Sequence, residues 1–190
     1  SIHFIDTDLP GLIAFKQTMI DKMTKDFVVK GKLELLPLNA LDTIAFNEMV
    51  GHFDDGAISI INEGLLMYLD KEEKKQLCSI IRNVLQKKGG RWITADIYVR
   101  EKDPAPDILD TVEYIQQFRQ EHHIEENKFE TYGEAEAFFT SCGFTVNRRL
   151  AWTSNELSCL HYLSEEKRKE VLDKIKNGIP RNQAWELTVS

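Results

Sequence analysis

Short apolar runs alternate with amphipathic helical stretches along almost the whole chain, and few architectures accept that order. The runs are residues 3–6, 33–38, 57–61, 92–97, 144–148 and 185–189. Between them, apolar residues recur at helical spacing. Leu12, Ile13, Met19, Ile20 and Met23 follow Leu9-Pro10, with proline suited to a first helical turn. Ile44, Phe46, Met49 and Val50 follow Asp42, a plausible N-cap. Leu77, Ile80, Ile81, Val84 and Leu85 follow Asp70, with Glu73 at capping-box spacing and Gly89-Gly90 as the stop. Ile108, Leu109, Val112 and Ile115 mark a further helix. Thr131 with Glu134 opens another, and Ser164 caps the last. Strands alternating with helices predict an α/β domain whose parallel sheet is covered by helices on both faces. The last strand follows a long excursion and is free to run antiparallel. The 190 residues suffice for a single domain with a real core.

The third run stops in an unusual way. After Ile60-Ile61 come Asn62-Glu63-Gly64, then the apolar turn Leu65-Leu66-Met67-Tyr68-Leu69. A carboxylate where a buried strand ends is costly unless it is used. In open α/β sheets ligands bind beyond the carboxyl ends of the strands. Asp6 and Asp8 end the first run. One carboxylate can accept both hydroxyls of a ribose diol, although a helix-start acid serves the dipole equally well. Asn39-Ala40-Leu41-Asp42 ends the second run and could flank an adenine ring, or be an ordinary strand-to-helix turn. Asp8, Asn39 and Glu63 are expected on one rim, outlining a nucleoside-sized site.

Other candidates read as structure. His122 and His123 lie among glutamates, but adjacent histidines point to different sides, so a solvated charged face is expected and no metal. Lys71 to Lys75, mixed with Glu72 and Glu73, read as another solvated face. Cys78 falls on a buried helical stripe. The three cysteines, Cys78, Cys142 and Cys159, have no metal-like spacing and suit reduced thiols in a cytoplasmic protein. The net charge of −7 argues against a nucleic-acid partner. No apolar run approaches the ~18 residues of a membrane span. Neither G-x-x-x-x-G-K-[ST], G-x-G-x-x-G nor G-x-S-x-G occurs.

The segments Phe4-Ile5-Asp6-Thr7-Asp8-Leu9-Pro10, Leu36-Pro37-Leu38-Asn39-Ala40-Leu41-Asp42 and Asn62-Glu63-Gly64-Leu65-Leu66-Met67-Tyr68-Leu69, with weaker support from Gly90-Arg91-Trp92-Ile93-Thr94-Ala95-Asp96, resemble one family in order. It is the class I S-adenosylmethionine-dependent methyltransferases, within them the leucine carboxyl methyltransferase family. The likeness is greatest to its bacterial O-methyltransferases associated with polyketide synthesis. It fades after about Arg149.

The resemblance implies a Rossmann-like sheet with an antiparallel last strand and S-adenosylmethionine as cofactor. It assigns Asp8, with its neighbour Asp6, to the ribose, and Asn39 and Ala40 to adenine. It assigns Glu63 to the methionine portion, with its neighbour Gly64 also at the cofactor, and Tyr68 to the substrate side. The family's first strand and glycine-rich loop have no counterpart here. That strand would lie between the runs at His3 and Ala57, so a break in the sheet is expected. The implied reaction is methyl transfer to oxygen of a small-molecule or carboxylate acceptor. A carboxylate needs no general base; a hydroxyl would want one, and no candidate stands out in the sequence. Neither nucleic acid nor membrane is an expected partner, and a homo-oligomer stays open. Two rival readings remain: a nicotinamide-dependent oxidoreductase, which shares the ribose acid, and a non-catalytic methyltransferase-like remnant.

Overall fold

A computed structural model describes residues 2–26, 30–100, 113–151, 158–177 and 183–190. The described chain holds strands β1 (His3–Asp8), β2 (Lys32–Pro37), β3 (Ile58–Asn62), β4 (Gly90–Ile97), β5 (Phe144–Ala151) and β6 (Gln183–Val189). Its helices are α1 (Pro10–Met23), α2 (Thr43–Val50), α3 (Lys71–Lys88), α4 (Glu113–Glu121), α5 (Tyr132–Ser141) and α6 (Glu165–Asn177). Each expected strand is present. The helix expected around Ile108 is described from Glu113 onward, and its earlier positions lie outside the described residues. The expected turn at 103–106 also lies outside them.

The chain divides into two compact units, Ser1–Gly56 and Ala57–Ser190. In the first, β1 and β2 pair in parallel from His3↔Lys32 to Asp8↔Pro37. Asp42 caps α2 as its position predicts, its Oδ1 accepting from the Ile44 and Ala45 amides. The apolar stripe expected on α1 is only partly used. Ile13 is buried, whereas Leu12, Met19 and Met23 are exposed. A two-stranded sheet covers a narrower stripe than the full sheet that periodicity alone suggests.

In the second unit the strand order is β3-β4-β6-β5. β3 runs parallel to β4, while β6 runs antiparallel to both β4 and β5. The antiparallel last strand is as expected. Among the described residues no strand pairing joins this sheet to β1-β2. The core of this unit is aromatic. Trp92 meets Phe139 and Phe144 at 5.4 Å between ring centroids, and Phe139 meets Trp185 at 6.1 Å. Such edge-on pairs add specificity to the large area that these rings bury.

α3 owes its clean ends to its sequence. Asp70 accepts from the Glu72 and Glu73 amides, and Glu73 reaches back to the Asp70 amide. This is the reciprocal capping box that the spacing predicts. At α5 the Thr131 hydroxyl accepts from the Glu134 amide, but the Glu134 carboxylate takes the Glu130 amide instead. No described helix is long and apolar enough to cross a membrane.

Candidate functional site

The carboxyl ends of β1 and β2 bring Asp6, Asp8, Asn39 and Ala40 together in the first unit, because the parallel register closes with Asp8↔Pro37 and the Leu38 amide donates to the Asp8 carbonyl. Lys16, from α1, reaches back to both acids, at 3.0 Å from Asp6 and 3.2 Å from Asp8. Burial of the Lys16 amine opposes its charge, yet the two carboxylates leave its pKa raised. Asp8 also accepts from the Leu9 amide at 2.8 Å. A carboxylate has about four acceptor positions, so these contacts leave Asp8 capacity for a diol. Asn39 turns its Oδ1 onto the Leu41 amide at 3.1 Å. That shapes the strand-to-helix turn and leaves Ala40 half-buried.

In the second unit, residues 62–69 fold over the end of β4. The sequence suggests a buried acid at Glu63, but Glu63 is exposed. The buried acid is Asp96, 1% exposed. It takes the Asn62 amide group and the Gly64 amide at 2.6 Å, the Leu65 amide at 2.7 Å and the Leu66 amide at 3.1 Å. Four donors converging on one carboxylate compensate the cost of burying its charge. Asn62 is itself fixed, since its Oδ1 accepts from the Trp92 indole at 2.6 Å. Gly64 has φ +67, which brings its amide round onto Asp96. Glycine adopts that conformation without penalty. The turn is thus tied from β3 through Asp96 to the aromatic core.

A second brace comes from the opposite side. Lys74 is 4% exposed, so this part of the lysine run is not a solvated face. Its Nζ donates to the Leu69 carbonyl and, at 2.8 Å, to the Asn127 carbonyl. Asn127 in turn donates to the Met67 carbonyl. Lys74 sits one turn before Leu77 and Cys78, on the buried stripe, and that spacing was the available signal. Asn127 carries no comparable signal, because only tertiary contact brings its loop to Met67.

Burial pushes the Lys74 amine down to about 8, against the pull of Asp70 and Glu73. An unfolded lysine keeps its proton up to its ordinary 10.5. Between these values the unfolded chain binds more protons, so this group makes stability rise with pH across that window. Lys74→Met should flatten the rise. Urea midpoints of both proteins at about pH 7 and about pH 10 would check it. Parallel shifts in the two proteins would contradict this assignment.

Tyr68 projects from the braced turn, 41% exposed. Its ring meets His122 at 5.5 Å and Phe118 at 6.2 Å, both edge-on, and those two rings lie 4.5 Å apart. The sequence reading placed His122 on a charged face. It is exposed, but it stands in an aromatic group with Tyr68. Tyr98 is nearby, its phenol pushed up by burial and then by the charges of Asp96 and Glu63. Among the described residues no cluster of three or more metal-type ligands occurs.

No protein-family model and no curated protein matches this sequence. Solved structures do resemble the fold. The mitomycin 7-O-methyltransferase MmcR aligns over 100% of this chain at TM-score 0.58 and 12% identity. A pericyclic reaction enzyme aligns over 100% at TM-score 0.59 and 12% identity. PigF with SAH aligns over 100% at TM-score 0.53 and 12% identity. The chain spans 42%, 37% and 43% of these proteins respectively. At such identity the likeness is one of fold alone: a mixed α/β sheet with an antiparallel last strand.

Proposed function

We propose that this chain is the S-adenosylmethionine-binding part of a class I O-methyltransferase acting on a small-molecule or carboxylate acceptor. The observation that supports it most is the turn at 62–69, folded over Asp96 at the carboxyl end of a β3-β4-β6-β5 sheet. MmcR, similar in fold, is described as an O-methyltransferase, and PigF was solved with SAH. The narrower reading is a relative of the leucine carboxyl methyltransferases of the polyketide-associated kind. It rests on the order of the Asp6-Thr7-Asp8, Asn39-Ala40 and Glu63-Gly64-Leu65-Leu66-Met67-Tyr68 segments.

In this reading Asp8, with Asp6, takes the ribose hydroxyls, Asn39 and Ala40 flank the adenine, and Glu63 and Gly64 lie by the methionine portion. The cofactor, when bound, supplies an activated sulfonium methyl group. The protein then has to align the acceptor oxygen and exclude water. Tyr68 and Phe118 offer an apolar edge for the acceptor. A carboxylate acceptor needs no proton removed. For a hydroxyl acceptor, His122 beside Tyr68 offers a base.

Calorimetric titration of the full-length gene product with S-adenosylhomocysteine tests this reading. Saturable binding is expected. Asp8→Ala should weaken it about 10-fold or more, since hydrogen bonds to a charged acceptor contribute about 1.5–3 kcal/mol. A flat titration overturns the proposal, and a melting shift with NADH alone would favour the oxidoreductase. A second reading is cofactor binding without methyl transfer, since one protein of similar fold catalyses a pericyclic reaction. Isotope-labelled methyl that never reaches any acceptor despite tight binding would favour it.

A further inference from the structure

About two turns into α1, a long side chain reaches back to the end of the strand before it. α1 starts directly after β1, with the Leu12 and Ile13 amides donating to the Leu9 carbonyl. Side chains on a helix lean toward its N-terminus. Lys16 therefore leans toward the carboxyl end of β1, and Ile13, one turn earlier on the same face, is buried. The Lys16 Nζ donates to Asp6 Oδ1 at 3.0 Å and lies 3.2 Å from Asp8 Oδ2.

The two acids need such a partner. As alternate residues of β1 they project from the same face of the strand. Like charges so placed repel, and one ammonium shared between them holds them together. Asp8 is thereby held at both ends. Its Oδ1 accepts from the Leu9 amide at 2.8 Å, and its Oδ2 faces Lys16. A carboxylate oxygen offers about two acceptor positions. One position on each oxygen of Asp8 stays open, side by side, which is the pattern that two neighbouring hydroxyls require. The side chains of Lys16, Asp6 and Asp8 are 33%, 31% and 32% exposed, open enough for a ligand to reach the carboxylates.

We propose that Lys16 is the positioning residue of the ribose site, holding the Asp8 carboxylate so that both of its oxygens meet the vicinal diol. This rests on the cofactor reading above and adds to it a residue that acts through the acids. Without Lys16 the two carboxylates swing apart, and the diol has to order a free Asp8 side chain as it binds. Ordering one side chain of this kind lowers affinity about 3- to 10-fold. The opposite arrangement is a lysine that competes with the diol for Asp8, and its removal would tighten binding. The sign of the change therefore separates positioning from competition.

The test is calorimetric titration of the full-length gene product with S-adenosylhomocysteine and with its analogue lacking both ribose hydroxyls. Lys16→Met should weaken S-adenosylhomocysteine about 3- to 10-fold, and Lys16→Arg should restore most of that loss. Binding of the analogue should change by less than about 2-fold, a selectivity that a general loss of structure does not produce. In an Asp8→Ala background Lys16→Met should also change S-adenosylhomocysteine binding by less than about 2-fold, because the group it positions is gone. Lys16→Gln supplies the same reading if the methionine variant unfolds. Unchanged or tighter S-adenosylhomocysteine binding by Lys16→Met overturns the proposal. So does an equal loss for the analogue or in the Asp8→Ala background. A flat wild-type titration overturns the cofactor reading itself and this inference with it. Wild-type binding that Lys16→Met leaves unchanged overturns the role of Lys16 alone.

Discussion

Asp96→Ala is expected to cost at least about 3 kcal/mol and, on the proposed function, to weaken S-adenosylhomocysteine binding. The carboxylate accepts from Asn62, Gly64, Leu65 and Leu66 while almost fully buried. Removing it leaves those donors without an acceptor, at about 1–3 kcal/mol for each one that stays buried. The turn can open to recover some of that with water, which is why the costs do not simply add. Opening it displaces Glu63 and Tyr68, which the proposed function sets beside the cofactor and the acceptor, so on that reading binding falls along with stability. In thermal unfolding the change corresponds to a fall of about 6–12 °C for a chain of this size. Asp96→Asn should fall between the two, because it keeps one acceptor oxygen but turns an amide group toward amide donors. A melting temperature within about 2 °C of wild type for Asp96→Ala would show that the turn holds itself. Retained S-adenosylhomocysteine binding would detach this turn from the proposed cofactor site.

Gly90→Ala is the second large effect, at least about 3–4 kcal/mol. Gly90 opens β4 with φ +109 and pairs with Ile58. A Cβ there would overlap the Ile58 carbonyl oxygen and approach the Ile58 nitrogen. Both neighbours are backbone, so no side-chain rotation relieves the overlap. β3 must shift away from β4, and the pairing that presents Asn62 to Trp92 shifts with it. Gly11→Ala is the control. Gly11 is in α1 with open space around it, and alanine there should be neutral or favourable by about 0.5–1 kcal/mol. Chemical denaturation of both variants checks the pair; equal midpoints would contradict the clash.

The two effects differ in how far the sequence foreshadowed them. Gly89-Gly90 was legible as a helix stop, because a glycine pair after Lys87-Lys88 ends a helix wherever it occurs. That Gly90 also lies against Ile58 was not, since the contact belongs to a strand pair. The rim acid shows the same division. An acid near the end of the third strand stood out by local contrast, and Glu63 drew that reading. The acid that is buried is Asp96, thirty-odd positions on, in phase with Trp92 and Thr94 on the inward face of β4. Its phase was readable; its four donors were not, because three of them are backbone amides from another element.

What the sequence by itself determined is local. Strand and helix positions and the caps at Asp42 and Asp70 follow from periodicity and side-chain reach. The positions of Asp8, Asn39 and Glu63 at strand ends follow from the same rules. Tertiary structure alone decided what each polar group touches. It bent Gly64 onto Asp96, buried Lys74 against two carbonyls and stood His122 beside Tyr68. The physical reason is range. Backbone preference and amphipathic spacing act over a few residues. A hydrogen bond or a ring contact depends on distances of ångströms between segments that only packing brings together.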